Sequence, residues 1–306
     1  MERALGHQRL AAGPARVTPA DEFAENRGLL FSIAYEILGS VVDAEDVLHD
    51  SYLRWSTVDH ARVEHPRAYL AQIVTRQAIG VLRAAARRRE EYVGQWLPEP
   101  LAAPSDDGAE HVLTGEAVTT AMLLVLETLT PLQRAVFVLR EVFAFSYAEI
   151  AAAVGKSETA VRQLNQRARA RVHEKRHTAV ATPEQARSVV ERFSVAAATG
   201  DVQALMDVLA PDVVYLADGG GVVSAVRRPV VGPDKVARLL IGLFRKGARM
   251  GELGVHFGVY NAMPSVAATI DGVLDQVTSV EVTGDLVTAV YCVRNPDKLG
   301  AVRIPT

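Results

Sequence analysis

Apolar residues recur at helical spacing through the first half of the chain and in strand-like runs through the last third. Leu29, Leu30, Ile33, Ala34 and Leu38 follow the three- and four-residue interval of a single helix face, and Gly39 ends the run. A second helix is expected in DAEDVLHDSYLRW, with Asp43 at its N-cap and Ala44, Val47, Leu48 and Leu53 at core positions. Its acids and Arg54 fall on the remaining faces. After the polar turn STVDHARVEHP, Pro66 suits the start of a third helix from Arg67 to about Arg89. Residues 21–91 thus read as one helical unit, preceded by a disordered leader over 1–20.

The periodicity breaks over residues 92–115. EYVGQWLPEPLAAPSDDGAE holds three prolines and two glycines, which marks a linker. Trp96 and Leu97 are large apolar groups for a free linker, so the stretch WLPEP is expected to dock on a surface. Helical spacing resumes over 116–177. Thr130 and Pro131 supply an N-cap and first helical residue. Ser146 and Glu149 form an S-x-x-E capping box for a short helix that Gly155 ends. Ser157 then caps a second helix with Val161, Leu164, Ala168 and Val172 inward and Arg162, Gln163, Gln166, Arg167 and Arg169 outward. Helix, glycine turn and basic helix is the helix-turn-helix pattern that offers a reading helix to a DNA major groove.

From about residue 180 the pattern changes again. An amphipathic helix from Thr182-Pro183 to about Thr199 and a shorter one capped by Asp201 precede the runs VVYLA, VVSAV, GVHFGVY, SVAATI, VLDQVTSVEV and LVTAVYCV. One helix, PDKVARLLIGLFRKG, interrupts them. Gly219-Gly220-Gly221 and Gly284-Asp285 sit where hairpin turns belong. Residues 180–306 are therefore expected to form an α+β domain with a curved antiparallel sheet, after two all-α domains.

Charge changes this picture locally. The net charge of −3 gives no global drive toward nucleic acid, yet Lys156 to Arg176 carries seven Lys or Arg against two Asp or Glu. The chain is expected to bind DNA weakly alone and more strongly beside a partner. No stretch approaches 18 uncharged apolar residues, and the N-terminus lacks an apolar secretory core, so neither membrane association nor export is expected. Cys292 is the single cysteine, which excludes an internal disulfide framework and fits a reducing cytoplasm; it reads as a buried strand thiol. In the last domain Asp218, Tyr215, His256, Asp271 and Asp275 could in principle move a proton, but no spacing among them specifies a reaction. Asp218 beside three glycines reads as a turn residue. His256, between Val255 and Phe257, is expected to face the domain interior. No metal or cofactor is indicated.

DAEDVLHDSYLRW followed by HPRAYLAQIVTRQAIGVLR resembles region 2 of the extracytoplasmic-function sigma factors. TPLQRAVFVLREVFAFSYAEIAAAVGKSETAVRQLNQRARARV resembles their region 4. The remainder resembles the SigJ-like subgroup with a C-terminal SnoaL-like domain, a cone whose mouth can hold a small molecule. The resemblance rests on WLPEP at 96–100, NPDKL at 295–299, and Asp218-Gly219-Gly220-Gly221, where Val222 replaces the lysine of the subgroup's pattern. The resemblance implies a promoter-specificity subunit of bacterial RNA polymerase. Asp43, Glu45, Asp46 and Asp50 would face core polymerase at its clamp. Residues 56–66 would capture a flipped −10 base, with Arg76, Gln77 and Arg83 on the single strand. Region 4 would contact the flap and read the −35 element through Arg162, Gln163, Gln166 and Arg167, with Arg169 and Arg171 on phosphates. Trp96, Leu97, Pro98, Asp218, Gly219, Gly220, Asn295, Pro296, Asp297 and Lys298 would form regulatory contacts between domains. A SnoaL-like domain leaves two other readings open: a ligand-responsive regulator, or a cyclase- or isomerase-type enzyme.

Overall fold

The computed structural model describes residues 18–90, 92–102, 118–175 and 183–304. Helix α1, Pro19–Leu38, opens with a capping box between Thr18 and Asp21. It therefore begins inside the segment expected to be a disordered leader. The Trp55 indole N–H, donating to Pro19 O at 2.7 Å, fastens that start. The rest of the expected leader lies outside the described residues. Gly39, at φ 70°, closes α1 and passes the chain directly to α2, Val41–Trp55. Ser40 caps α2, not Asp43: Ser40 Oγ accepts from Asp43 N at 3.1 Å. The left-handed glycine leaves Ser40 extended, the conformation an N-cap needs. A 3₁₀ turn at His60–Arg62 precedes α3, Pro66–Glu90.

The second helical unit contains α4 (Thr120–Leu126), α5 (Pro131–Phe137), a π-helical turn (Val138–Val142), α6 (Tyr147–Val154) and α7 (Glu158–Lys175). Thr130 and Ser146 cap α5 and α6 through boxes with Gln133 and Glu149. Gly155, at φ 65°, makes the turn into α7. The two helical units share one hydrophobic core: Leu30, Ile33, Trp55 and Val74 belong to the same buried cluster as Leu126, Val136, Ile150 and Val161.

The last domain contains α8 (Pro183–Thr199), α9 (Val202–Val208), β1 (Leu209–Asp218), β2 (Val230–Val231), α10 (Pro233–Gly247), β3 (Leu253–Tyr260), β4 (Met263–Ile270), β5 (Val273–Thr283) and β6 (Leu286–Val293). The sheet order is β2-β1-β6-β5-β4-β3. The β3–β6 meander is antiparallel, as the run of strands implied. The exception is β1, which pairs parallel with β6. The chain leaves β1, crosses through α10 and runs the whole meander before returning beside it. Register shifts in β1, β4–β5 and β5–β6 bend the sheet. VVSAV is not a strand: after Asp218 the glycines open a long loop, and only Val230–Val231 pair back onto β1.

The sheet packs against other elements on both faces, with Val255 and Phe257 of β3 left exposed. One face packs on α8, α9 and α10 through Phe193, Leu205, Val213, Val236 and Val290. The other holds Tyr260, Ala267, Val277 and Tyr291 in one cluster with Leu97 of the linker, and Ala121 and Leu124 of α4 pack against it. The linker and α4 thus cover a face that would otherwise be exposed and apolar.

Candidate nucleic-acid interface and interdomain clamp

The outward face of α7 follows from its burial pattern. Val161, Ala168 and Val172 are buried, and Arg162, Gln163, Gln166, Arg167, Arg169 and Arg171 are exposed. Two of the arginines are already oriented. Arg162 pairs with Glu158 one turn earlier at 2.9 Å and lies over the Tyr147 ring at 4.5 Å. Arg169 lies 3.9 Å from Glu141. These exposed pairs hold a geometry more than they add stability.

In the first unit, Asp46 and Asp50 are exposed on α2, while Asp43 and Glu45 are half-buried. Glu45 is paired with Arg27 of α1 at 2.5 Å. The three residues expected near a single strand are not equivalent. Arg83 is exposed. Gln77 is half-buried and donates to Ser51 Oγ at 3.1 Å. Arg76 donates through Nε to Ala153 O at 2.9 Å and through Nη2 to Ala152 O at 2.7 Å. Gln72 adds a bond to Ala152 O at 2.5 Å. A guanidinium at the C-terminal carbonyls of α6 satisfies both orphan acceptors and the negative end of the helix dipole. In this conformation Arg76 therefore joins the two helical units instead of facing an open groove.

The linker is fixed at two polar hubs. At the first, the fully buried Asp218 carboxylate accepts from Tyr92 Oη (2.6 Å), Leu97 N (2.8 Å), Gly220 N (3.0 Å) and Lys298 Nζ (2.7 Å). Lys298 also donates to Leu97 O at 2.6 Å, and its ammonium lies 4.1 Å from the Trp96 ring centroid and 5.2 Å from that of Tyr92. Asn295 donates to Tyr92 Oη at 3.0 Å, while Arg294 N and Asn295 N both donate to Asp218 O. Gly220, at φ 64°, packs directly on the Asn295 amide, which leaves no room for a Cβ. WLPEP, the glycine loop and NPDKL thus meet in one place. Lys298 supplies the cation there, in a chain whose glycine motif continues with Val222. Within NPDKL, Pro296 and Asp297 play the turn part: Asn295 Oδ1 accepts from Asp297 N at 3.1 Å, capping a 3₁₀ turn that presents Lys298 inward. Pro98 is buried beside Leu97, and Gly219 gives the loop a close approach to Val223 O. Burial, reinforced by the neighbouring Asp218, pushes the Tyr92 hydroxyl up, so Tyr92 stays a donor.

The second hub centres on Asn261 in the β3–β4 turn. Its amide donates to Glu99 O (3.1 Å) and Thr120 Oγ1 (3.3 Å). Its carbonyl meets Tyr35 Oη (2.8 Å) and Leu101 N (3.1 Å). One side chain therefore ties α1, the linker and α4 to the sheet. Glu99 N donates to Gly39 O at 3.0 Å, and Glu99 Oε2 accepts from Val41 N at 2.9 Å at the start of α2. Burial raises the Glu99 carboxyl, and its bonds to Ser40 and Val41 act against that rise. Nothing in the sequence marked Asn261: asparagine in a two-residue hairpin turn reads as turn chemistry, and its φ of 47° fits that role too. Between the helical units lies a third buried contact. Arg134 of α5, 1% exposed, donates to Glu36 O at 3.2 Å and pairs with Glu127. Burial pushes the Glu36 carboxyl up to about 8 against the pull of Arg134.

The groups considered for proton chemistry are dispersed. Tyr215 and Asp275 line a cavity of about 380 Å³ between the sheet and helices α8 and α10. Asp275 is held bidentately by Arg294, at 3.1 and 2.7 Å. His256 does not face that interior. Val255 and Phe257 line the cavity, so strand alternation turns His256 to the other side, opposite Ala267. Asp218 belongs to the linker hub, and Asp271 is a turn residue that accepts from Glu252 N at 2.8 Å.

Residues 23–88 match the family model for sigma-70 region 2, and residues 119–172 match that for sigma-70 region 4. The extracytoplasmic-function RNA polymerase sigma factor SigJ of Mycobacterium tuberculosis is 37% identical over 289 residues, 90% of this chain and 92% of its own length. A probable sigma factor of the same kind and organism, SigI, is 28% identical over 281 residues, covering 91% and 93%. The crystal structure of M. tuberculosis SigJ superposes with a TM-score of 0.74 at 32% identity, covering 94% of this chain and 100% of that one.

Proposed function

The chain belongs to the extracytoplasmic-function RNA polymerase sigma factors, and from that premise we propose how its three parts share the work of starting transcription at chosen promoters. Region 2 serves the −10 element and core polymerase, and region 4 serves the −35 element. In region 4, Arg162, Gln163, Gln166 and Arg167 meet base edges in the major groove, with Arg169 and Arg171 on phosphates. Their shared exposure on α7 supports this reading. Asp43, Glu45, Asp46 and Asp50 of α2 face the polymerase clamp, and the flap takes region 4. Arg83 is exposed toward the −10 strand, whereas Arg76 becomes available only when region 2 parts from α6, and Gln77 only when it leaves Ser51 within region 2.

The C-terminal domain acts in cis as a brake. The observation that carries this reading is the Asp218–Lys298 clamp on Leu97 and Trp96, which holds the linker between the two DNA-binding regions against the sheet. Two promoter elements on separate stretches of DNA require the two regions to separate, and a docked linker opposes that. Promoter-directed transcription with core polymerase tests both parts, comparing the full chain with residues 1–177. Promoter-dependent transcripts are expected from both, and more from the truncated chain. No promoter dependence in either would remove the assignment of region 4, and equal output would remove the brake. We read the domain as non-catalytic, since its one cavity-facing carboxylate, Asp275, is neutralised by Arg294. A ligand-responsive form of the brake is favoured by the cavity itself.

A further inference from the structure

The two edges of the C-terminal sheet are unlike. At one edge β2 is only Val230–Val231, too short to template a partner strand. At the other lies β3, Leu253–Tyr260, paired to β4 without a break in register. Natural edge strands are blunted by charged residues, proline or a bulge. Between Leu253 and Tyr260 there is no Lys, Arg, Asp, Glu or Pro. Val255, Phe257 and Val259 stand 43%, 54% and 48% exposed on one face of the strand. Among the described residues only Ala102 of the linker pairs with this edge, at Tyr260.

That bridge fixes which backbone groups point outward. Asn261 N donates to Leu101 O at 2.8 Å, away from β4. Alternation along the strand then turns the N–H and C=O groups of Leu253, Val255, Phe257 and Val259 the same way. The residues along this edge, Leu-Gly-Val-His-Phe-Gly-Val, read the same in kind from either end, with His256 at the centre. An antiparallel strand of the same sequence, related by a two-fold axis at His256, meets it like for like. Val255 then lies opposite the second copy's Phe257, an aromatic against a β-branched residue, which is a favoured cross-strand pair. Leu253 lies opposite Val259, Gly254 opposite Gly258, and His256 opposite its own copy. The glycines leave room for the imidazoles: His256 Nε2 stands 3.2 Å from the place a Gly254 Cβ would take. No like charges meet across the pair.

We propose that β3 is an interface between two copies of this chain, which join their sheets edge to edge by antiparallel pairing of Leu253–Val259. The inverted symmetry of the pattern is what assigns the edge to a second copy, since a strand of another sequence would gain nothing from it. Pairing satisfies the outward backbone groups and covers Val255 and Phe257 with each other. Tyr260 is left to Ala102, so the linker stays docked in both copies. Neither the Asp218–Lys298 clamp nor the outward face of α7 takes part, and the dimer stands independently of the cis-regulatory reading. One strand pair is a small interface, so the association is expected to be reversible and to fall in the micromolar range.

Sedimentation of the full chain at rising concentration reads the mass, which is expected to pass from one copy to two. Outward bonds from Val255 and Phe257 make His256 a non-hydrogen-bonded pair with its copy, with Cα atoms about 4.5 Å apart. That separation lies within the disulfide range of about 4.4–6.8 Å. His256→Cys should therefore cross-link under mild oxidation at least tenfold faster than Val273→Cys, a site 71% exposed at the start of β5. The native Cys292 is buried, which leaves the parent as the control without a cross-link. Phe257→Lys and Val259→Lys each put an ammonium into the paired edge at an exposed position. Both are expected to keep the far-ultraviolet spectrum of the parent and to raise the dimer dissociation constant at least tenfold. A chain that stays monomeric throughout the micromolar range, a dimer that both folded lysine variants leave intact, or a His256→Cys chain that cross-links no faster than Val273→Cys each overturns the interface. In a monomer, hydrogen exchange at the Val255 and Phe257 amides says what holds the edge instead: protection there would assign it to a segment of the chain itself, and rapid exchange would leave it bare.

Discussion

Replacing Lys298 with methionine tests the linker clamp most directly, because it keeps the length and apolar stem of the side chain and removes only the ammonium. The substitution deletes a charge-assisted bond to Asp218, a bond to Leu97 O and a cation placed 4.1 Å from the Trp96 ring. A hydrogen bond to a charged group contributes about 1.5–3 kcal/mol, and the ring contact about 0.5–2 kcal/mol. The larger effect is on Asp218, which is 0% exposed and would keep its charge without a counter-charge. Breaking one side of a buried pair costs about 3–5 kcal/mol. The linker can relieve part of that by lifting away and admitting water, so the loss in docking free energy is expected at about 2–4 kcal/mol. Trp96 reports it. The chain has two tryptophans, and in a Trp55→Phe background the emission of Trp96 should move to the red as urea releases the linker, at lower urea in the variant. Asp218→Asn completes a double-mutant cycle. The doubly substituted chain should be less destabilised than the sum of the singles by at least about 1.5 kcal/mol, as expected for groups in direct contact. A Lys298→Met chain within about 0.5 kcal/mol of its parent, or strict additivity in the cycle, would refute the clamp.

The remaining expectations address the other contacts. Glu36, raised by burial to about 8 from an ordinary 4.5, binds its proton more tightly folded than unfolded. Its contribution is complete below about 4.5 and is lost as pH climbs toward 8, by roughly 1.4 kcal/mol for each pH unit in that window. Urea midpoints across pH 5 to 8 should therefore fall in the parent and flatten in Glu36→Gln. Gly39→Ala places a Cβ 2.8 Å from Trp96 Cη2 at φ 70°, and should lower the melting temperature and shift Trp96 emission to the red; an unchanged spectrum would show that Trp96 does not need that gap. On promoter fragments Arg162→Ala and Arg167→Ala should each lose about 1–3 kcal/mol of discrimination against a scrambled −35 element. Arg171→Ala should weaken binding to both fragments alike and lower the salt slope by about one unit, a pattern that gel-shift titrations at several salt concentrations can separate.

The helices and strands were legible because burial of one face imposes a period, as in Leu30, Ile33 and Leu38, or in Val161, Ala168 and Val172. Caps were legible where the partner lies three residues away, as with Ser146 and Glu149. They failed where a preceding turn decides the start, as when left-handed Gly39 made Ser40 the cap in place of Asp43. Trp96 and Leu97 announced a docked linker by being too apolar for a free one. Their partners did not announce themselves. Asp218 beside three glycines carries the marks of a turn, and its carboxylate acquires a clamp only through Lys298, 80 residues later. Asn261 is subtler still, because one amide serving α1, the linker and α4 leaves no periodic trace. His256 was placed inside the domain from its apolar neighbours, yet those neighbours are the ones that line the cavity.

The two interdomain contacts differ in kind, and the difference bears on how the chain opens. Regions 2 and 4 share an apolar core that includes Leu30, Trp55, Val136 and Ile150, so separating them exposes surface that water does not welcome. The C-terminal domain holds the linker mainly through Asp218, Lys298 and Asn261, with Tyr92 of the linker donating to Asp218, groups that water or an ionic partner can satisfy in turn. Leu97 is the main apolar anchor there, and its burial contributes about 1.5–3 kcal/mol. A polar contact of that kind is the easier one to exchange, which makes the linker the natural first point of release. The apolar seam between regions 2 and 4 then needs a large binding partner to cover what it uncovers. Core polymerase, if it engages both regions as proposed above, is such a partner, and a chain of net charge −3 would gain affinity from it as well.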